Sequence, residues 1–110
     1  MVFLSSVAAF TGGIVGSHLT ASKSALIGLA QALAAPLAAH GVTVNAVAPA
    51  LIEGGETLPG DTEPRAKLAE SVPVGRLGRP EEVAGVVHTL VTNPFVTAQT
   101  ISLDGGMYPR

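Results

Sequence analysis

Residues 5–26 read SSVAAFTGGIVGSHLTASKSAL, and the fold is decided there. The short apolar run Met1–Leu4 ahead of it stops abruptly at Ser5 and Ser6, as a buried strand does when it ends in a polar turn. Gly12, Gly13 and Gly16 then make a flexible loop, after which Ser17 or Thr20 can cap a helix that runs to about His40. Gly41 supplies the left-handed stop. Strand, glycine loop and long helix form the first half of a crossover unit, and the rest of the chain repeats that theme.

Within the long helix, Leu26, Leu29, Ala30, Leu33 and Leu37 recur at helical spacing and predict the core face. Ser24, Gly28, Ala32, Ala35 and Ala39 line another face with small side chains. Such a stripe permits close approach of a second helix, or merely reflects the helix propensity of alanine, and both readings stand. Pro36 removes one helical hydrogen bond and should loosen the last turn.

Val42–Ala48 (VTVNAVA) is β-branched and almost continuously apolar, which suits a central parallel strand covered on both faces. Asn45 is its one fully polar side chain, and a buried amide must find partners. Pro49 should end the strand. Residues 50–64, with Gly54, Gly55, Pro59, Gly60 and Pro64 between Glu53, Glu56, Asp61 and Glu63, read as a mobile loop. A short helix follows from about Pro64 to Ser71. A longer one starts at Pro80, with Glu81 and Glu82 set against its dipole, and runs to about Thr92 before Asn93 and Pro94 stop it. Thr100–Leu103 is a last strand, and Asp104, Gly105 and Gly106 turn the chain away.

The expected fold class is therefore α/β: three parallel strands in one sheet, with a long helix and a second helical segment. By the right-handed rule both helical layers fall on one face and leave the other bare. A first strand with no edge protection is a further reason to expect partners.

Composition narrows the functions available. Of the 110 residues 47% are hydrophobic and only 13% charged, so little polar material coats the outside and some apolar surface should need covering. A net charge of -2 without a lysine or arginine cluster argues against nucleic acid and anionic membrane surfaces. The absence of cysteine excludes thiolate metal sites, and His18, His40 and His88 have no acidic partners at ligand spacing, so no metal is expected. No apolar stretch reaches the length of a membrane span, and the chain reads as a soluble, cytoplasmic protein.

Five segments in order carry a specific resemblance: SSVA, TASKSAL, VTVNAVAPALI, PVGRLGRPEEVAGVV and TAQTISLDGG. Together they resemble the C-terminal half of a short-chain dehydrogenase/reductase of the β-ketoacyl-carrier-protein-reductase-like kind, over nearly the whole chain. The resemblance implies that residues 1–110 form one partial domain with a partial Rossmann-like fold, a doubly wound sheet whose last three strands are present here, and a family that transfers hydride between NAD or NADP and a carbonyl or alcohol. The family's glycine-rich phosphate turn has no counterpart within these residues. Gly12, Gly13 and Gly16 match instead its substrate-side loop.

The resemblance implies three catalytic positions. A serine at Ser6 bonds the substrate oxygen; a tyrosine thirteen positions later passes the proton; a lysine four further on, at Lys23, holds the nicotinamide ribose and lowers the tyrosine pKa. The middle position is Leu19, which has no proton to give. His18 beside it is titratable, but adjacent helical residues point about 100 degrees apart, so a loop or cap histidine is the reading preferred. The cofactor positions implied are Lys23, Pro49 and Ile52, the last through its main chain. Ala50, Gly54 and Ala98 depart from the glycine, threonine and glycine usual in the family.

The chain is thus expected to be a truncated pseudoenzyme, inactive or severely impaired as an oxidoreductase. The alternatives are a non-catalytic oligomerisation or interaction module and a half-domain completed by another chain. A homo-oligomer built through helix 18–40 and the last strand, elements that mediate assembly in the family, is expected.

Overall fold

A computed structural model describes residues 1–12, 15–55 and 62–109. The elements run β1 (Val2–Leu4), α1 (Ala8–Thr11), α2 (Ser17–Ala38), β2 (Asn45–Pro49), α3 (Thr62–Glu70), α4 (Pro80–Thr92) and β3 (Thr100–Leu103). The three strands form one parallel sheet in the order β1-β2-β3, with Phe3 opposite Ala46 and Val47 opposite Ile101. The expected parallel three-stranded architecture is what the chain adopts.

β2 lies between two partners and under two helices, so Val44, Asn45, Ala46, Val47 and Ala48 are fully enclosed. Burying Val44 and Val47 stabilises the fold by roughly 1.5–3 kcal/mol each. The Asn45 amide finds its partners, as it must: Nδ2 donates to the Val96 carbonyl at 2.9 Å and Oδ1 accepts from Gln99 N–H at 3.0 Å. The strand begins three residues later than expected because the Val44 N–H donates to the Thr97 hydroxyl, at 3.0 Å, rather than to a neighbouring backbone. Pro49 sits inside its last position.

Several expectations need correction. Ser17 is the first helical residue of α2, neither Ser17 nor Thr20 caps it, and Gly16 is the cap position. The helix stops at Ala38, two residues early, and Gly41 has the positive φ, 74°, predicted for it. α3 starts at Thr62 rather than Pro64, and the one-turn α1 had no signal beyond two alanines. Glu56, Pro59, Gly60 and Asp61 of the expected loop, like Gly13, lie outside the described residues.

The core face of α2 also shifts. Ala30 and Ala34 are the buried pair, packed on Val44 and Ala46 and flanked by Ile27, Leu33 and Leu37, whereas Leu29 is 43% exposed. Small side chains on both helix and strand let the two backbones lie close, which a leucine at position 30 would prevent. Because α2 is apolar on nearly every side, spacing alone could not choose the face.

The two long helices lie on opposite faces of the sheet. Phe3 packs against the α2 cluster, while its neighbours Val2 and Leu4, which point the other way, border Val83, Val87 and Val91 of α4. Neither face is bare. Two crossovers that step the same way but use opposite faces have opposite hands, so one departs from the right-handed rule. That rule depends on a short connection packing straight back; the long excursion between Pro49 and Pro80 removes the constraint.

Candidate active site

The carboxyl ends of β1 and β2, where open parallel sheets of this kind place their ligands, bring together residues from three elements. Ser5, just past β1, is buried, and its hydroxyl donates to the Lys23 carbonyl of α2 at 2.7 Å. Lys23 answers with its ammonium, Nζ donating to the Leu4 carbonyl at 3.0 Å. Ser24 completes the clamp, Oγ donating to the Ala9 carbonyl at 3.2 Å. The start of α2 is thus stitched to the end of β1 and to α1 by side chains, and Lys23 is brought to the strand end that carries Ser6.

Ser6 uses one lone pair to accept the Ala8 N–H at 3.1 Å, which opens α1. Its own proton stays available to donate to a carbonyl oxygen, as the resemblance implies. Leu19 lies one helical turn before Lys23, on the same side of α2, and is half-buried. An aliphatic side chain thus occupies the position at which the resemblance implies a proton donor. The His18 ring folds back over Gly16, where an added Cβ would come within 3.0 Å of Cε1. It therefore sits at the helix start, away from Lys23.

Pro49 and Ile52 occupy the neighbouring strand end. The Pro49 carbonyl accepts the Val7 N–H at 3.1 Å, which joins the two strand ends. Ile52 pairs with Gly78: the Gly78 N–H donates to Leu51 and the Glu53 N–H to Gly78, each at 2.9 Å. In a parallel pair this pattern turns the N–H of Ile52 away from Gly78, and that group is free to donate to an amide carbonyl. Gly78 is required there, since a Cβ would lie 2.6 Å from Ile52 Cδ1.

These groups fit the nicotinamide end of a dinucleotide: an ammonium, a hydroxyl and an outward main-chain N–H at adjoining strand ends. They do not make a pyrophosphate cradle, and no strand-to-helix phosphate turn lies among the described residues. Among the described residues no group of three histidines or acidic side chains could hold a metal ion, and no helix is long and apolar enough to cross a membrane.

A second cleft of about 300 Å³ lies beside the ends of β2 and β3, between Leu51, Val72, Val74, Ser102 and Asp104. Sequence reasoning gave it no role. Its charged groups are committed internally: Arg76 binds both Glu82 oxygens, at 2.9 and 2.6 Å, and Asp104 accepts the N–H groups of Gly106 and Tyr108. The guanidinium hydrogen bond, with that from Arg79 N–H at 2.8 Å, holds the Glu82 carboxyl down at about 2. The spacing of Arg76 and Glu82 around the start of α4 could have signalled this lock.

A family model described as Enoyl-(Acyl carrier protein) reductase matches residues 1–108. The 3-oxoacyl-(acyl-carrier-protein) reductase of Aquifex aeolicus is 41% identical over 98% of the chain, which spans 44% of that relative. Nodulation protein G of Azospirillum brasilense is 38% identical over 97% of the chain, again 44% of its own length. Among solved structures, a short-chain dehydrogenase/reductase of the glucose/ribitol dehydrogenase type from Brucella melitensis superposes with a TM-score of 0.90 at 35% identity. A 3-oxoacyl-(acyl-carrier-protein) reductase from the same organism gives 0.89 at 40%. The present chain covers 45% and 42% of those two chains, and 99% of itself is matched in each.

Proposed function

The chain belongs to the short-chain dehydrogenase/reductase family as a C-terminal half, and from that membership we propose that it carries the substrate-side part of a carbonyl/alcohol oxidoreductase and is inactive or severely impaired as it stands. Leu19 carries this reading. In the relatives' chemistry NAD or NADP supplies the hydride, and the alkoxide formed at the substrate needs a proton. Ser6 can hold that oxygen through its free O–H, and Lys23 places a positive charge at the same strand end. Neither replaces an acid of lowered pKa, whose absence removes roughly 100-fold to 10,000-fold in rate. Lys23, Pro49 and Ile52 are the residues proposed to meet the cofactor's nicotinamide end.

Titration calorimetry of the purified chain against NADH and NADPH should give no heat of binding, and assays with β-ketoacyl thioesters and simple alcohols no turnover. Micromolar affinity with measurable turnover overturns the proposal.

A second reading, a non-catalytic oligomerisation module, is favoured by one observation: Gly28, Leu29, Ala32 and Ala35 of α2, and Ala39 just past its end, are all exposed in a chain with few charges. Under it the chain forms a homo-oligomer through α2 and β3 in the cytoplasm, without nucleic acid or membrane.

A further inference from the structure

Leu4, Ser5 and Ser6 are consecutive, and each meets the site in a different way. The Leu4 carbonyl takes the Lys23 ammonium, Nζ donating at 3.0 Å, and Ser6 Oγ accepts the Ala8 N–H with its own proton left to give. Ser5 stands between them, its side chain turned to the opposite side as neighbours in an extended chain are, and it is 3% exposed. A buried hydroxyl takes a partner, and Ser5 Oγ donates to the Lys23 carbonyl at 2.7 Å.

The helix does not need that bond. Position 23 lies inside α2, where the Ile27 N–H serves the same carbonyl, so the serine proton takes the second lone pair. What the bond adds is position. It closes a ring in which both ends of Lys23 are held by adjoining residues of one strand end, the main chain by Ser5 and the ammonium by Leu4. Ser5 is itself fixed, since its N–H donates to the Val47 carbonyl of β2 at 2.7 Å.

A lysine stem has four rotatable bonds, and one hydrogen bond at an exposed tip returns little more than the freedom it removes. Pinning the root of the side chain takes the motion of α2 against β1 out of that balance. No other neighbour does the same. Ser24 also pins α2, but its bond runs to Ala9 of α1 and not to the strand end that carries Leu4 and Ser6. Leu19, one turn before Lys23, offers the ammonium no acceptor.

We propose that Ser5 is a positioning residue: by fixing the Lys23 main chain to the end of β1, it sets where the Lys23 ammonium stands relative to the Ser6 hydroxyl. The chemical use of that spacing rests on the proposed function, with Lys23 toward the nicotinamide end and Ser6 toward the substrate oxygen. The positioning itself does not.

The test reads the ammonium directly. Lys23 and Lys67 are the two lysines of the chain, and Lys67 is exposed in the last turn of α3, so it serves as an internal reference. Under trace acetic anhydride, followed by peptide mass spectrometry, Lys23 should be acetylated at least fivefold more slowly than Lys67. In Ser5→Ala, with an unchanged circular dichroism spectrum, the two rates should come within twofold of each other. Ser5→Thr keeps the hydroxyl and should restore the difference; Ser24→Ala loosens α2 elsewhere and should leave it intact. Ser5→Cys nearly keeps the volume and weakens the donor, so it reports the same loss should the alanine variant not fold. A merely structural serine would lower the urea midpoint without moving the ratio. Three results overturn the proposal: equal reactivity of Lys23 and Lys67 in the unsubstituted chain, an unchanged ratio in both Ser5→Ala and Ser5→Cys, or a ratio changed as far by Ser24→Ala as by Ser5→Ala. No cofactor takes part in the labelling, so NADPH binding with turnover by the chain would sink the proposed function and leave the role of Ser5 untouched.

Discussion

Ala98 holds a backbone conformation that alanine resists. Its φ is 61°, and the Ala98 N–H donates to the Val44 carbonyl at 2.8 Å, which fixes the turn into β3. The left-handed region costs a residue with a Cβ about 1–2 kcal/mol, while the half-buried methyl returns less than about 0.8 kcal/mol. Ala98→Gly should therefore stabilise the fold by up to about 1 kcal/mol, read as a higher urea midpoint; a lower midpoint would contradict the strain argument. The resemblance marked this position as one where glycine is usual in the family, and the torsion gives the departure its physical meaning. Leu19 was legible in the same way, because a missing hydroxyl needs no coordinates. The engagement of Lys23 with Leu4 was not: it depends on how β1 and α2 dock, which residue spacing does not encode. Leu19→Tyr in the isolated chain should restore no NADPH oxidation, since a phenol does not supply the pyrophosphate cradle that the described residues do not make; measurable turnover by that variant would overturn the proposed function.

At the scale of elements, the start of α4 is locked by one carboxylate. Glu82 accepts from Arg79 N–H and from both Arg76 nitrogens, so its folded pKa, about 2, lies below the ordinary 4.5. Its contribution to stability is whole above pH 4.5 and is lost as the pH falls through that value toward about 2. Urea midpoints measured across that window should fall less steeply for Glu82→Gln than for the unsubstituted chain. Equal slopes would show that the lock does not report on folding. Gly105 makes a second junction, because with φ +60° it lets Val72 and Val74 rest on the turn after β3. A Cβ there would stand 2.5 Å from Val72 Cγ1, and Val72 is buried, so Gly105→Ala should cost about 2–4 kcal/mol in thermal unfolding. Pro80 and the two glutamates announced α4 because caps are local signals. The face of the sheet that α4 occupies was illegible, since the long connection before it escapes the rule that governs short crossovers.

The whole molecule is wider than its length requires: a radius of gyration of 14.8 Å compares with about 13 Å for a compact domain of this size. Low charge and parallel strands implied uncovered surface, but composition could not say where it lies. Among the described residues it includes Leu4 and Val91, the protruding Val74 and Phe95, and the outer side of α2, where Ser24 is bound to Ala9 and drops out of the small-residue stripe, leaving Gly28, Ala32 and Ala35 exposed, with Ala39 just past the helix end. If that stripe joins copies of the chain, sedimentation should report species larger than the 11.0 kDa monomer. The double variant Ala32→Glu, Ala35→Glu should then return the chain to monomer, because close packing of small residues cannot admit two carboxylates without desolvating them. Glutamate is nearly as good a helix former as alanine at exposed positions, so an unchanged circular dichroism spectrum would separate a lost contact from a lost helix. A monodisperse monomer before substitution removes α2 as an assembly surface.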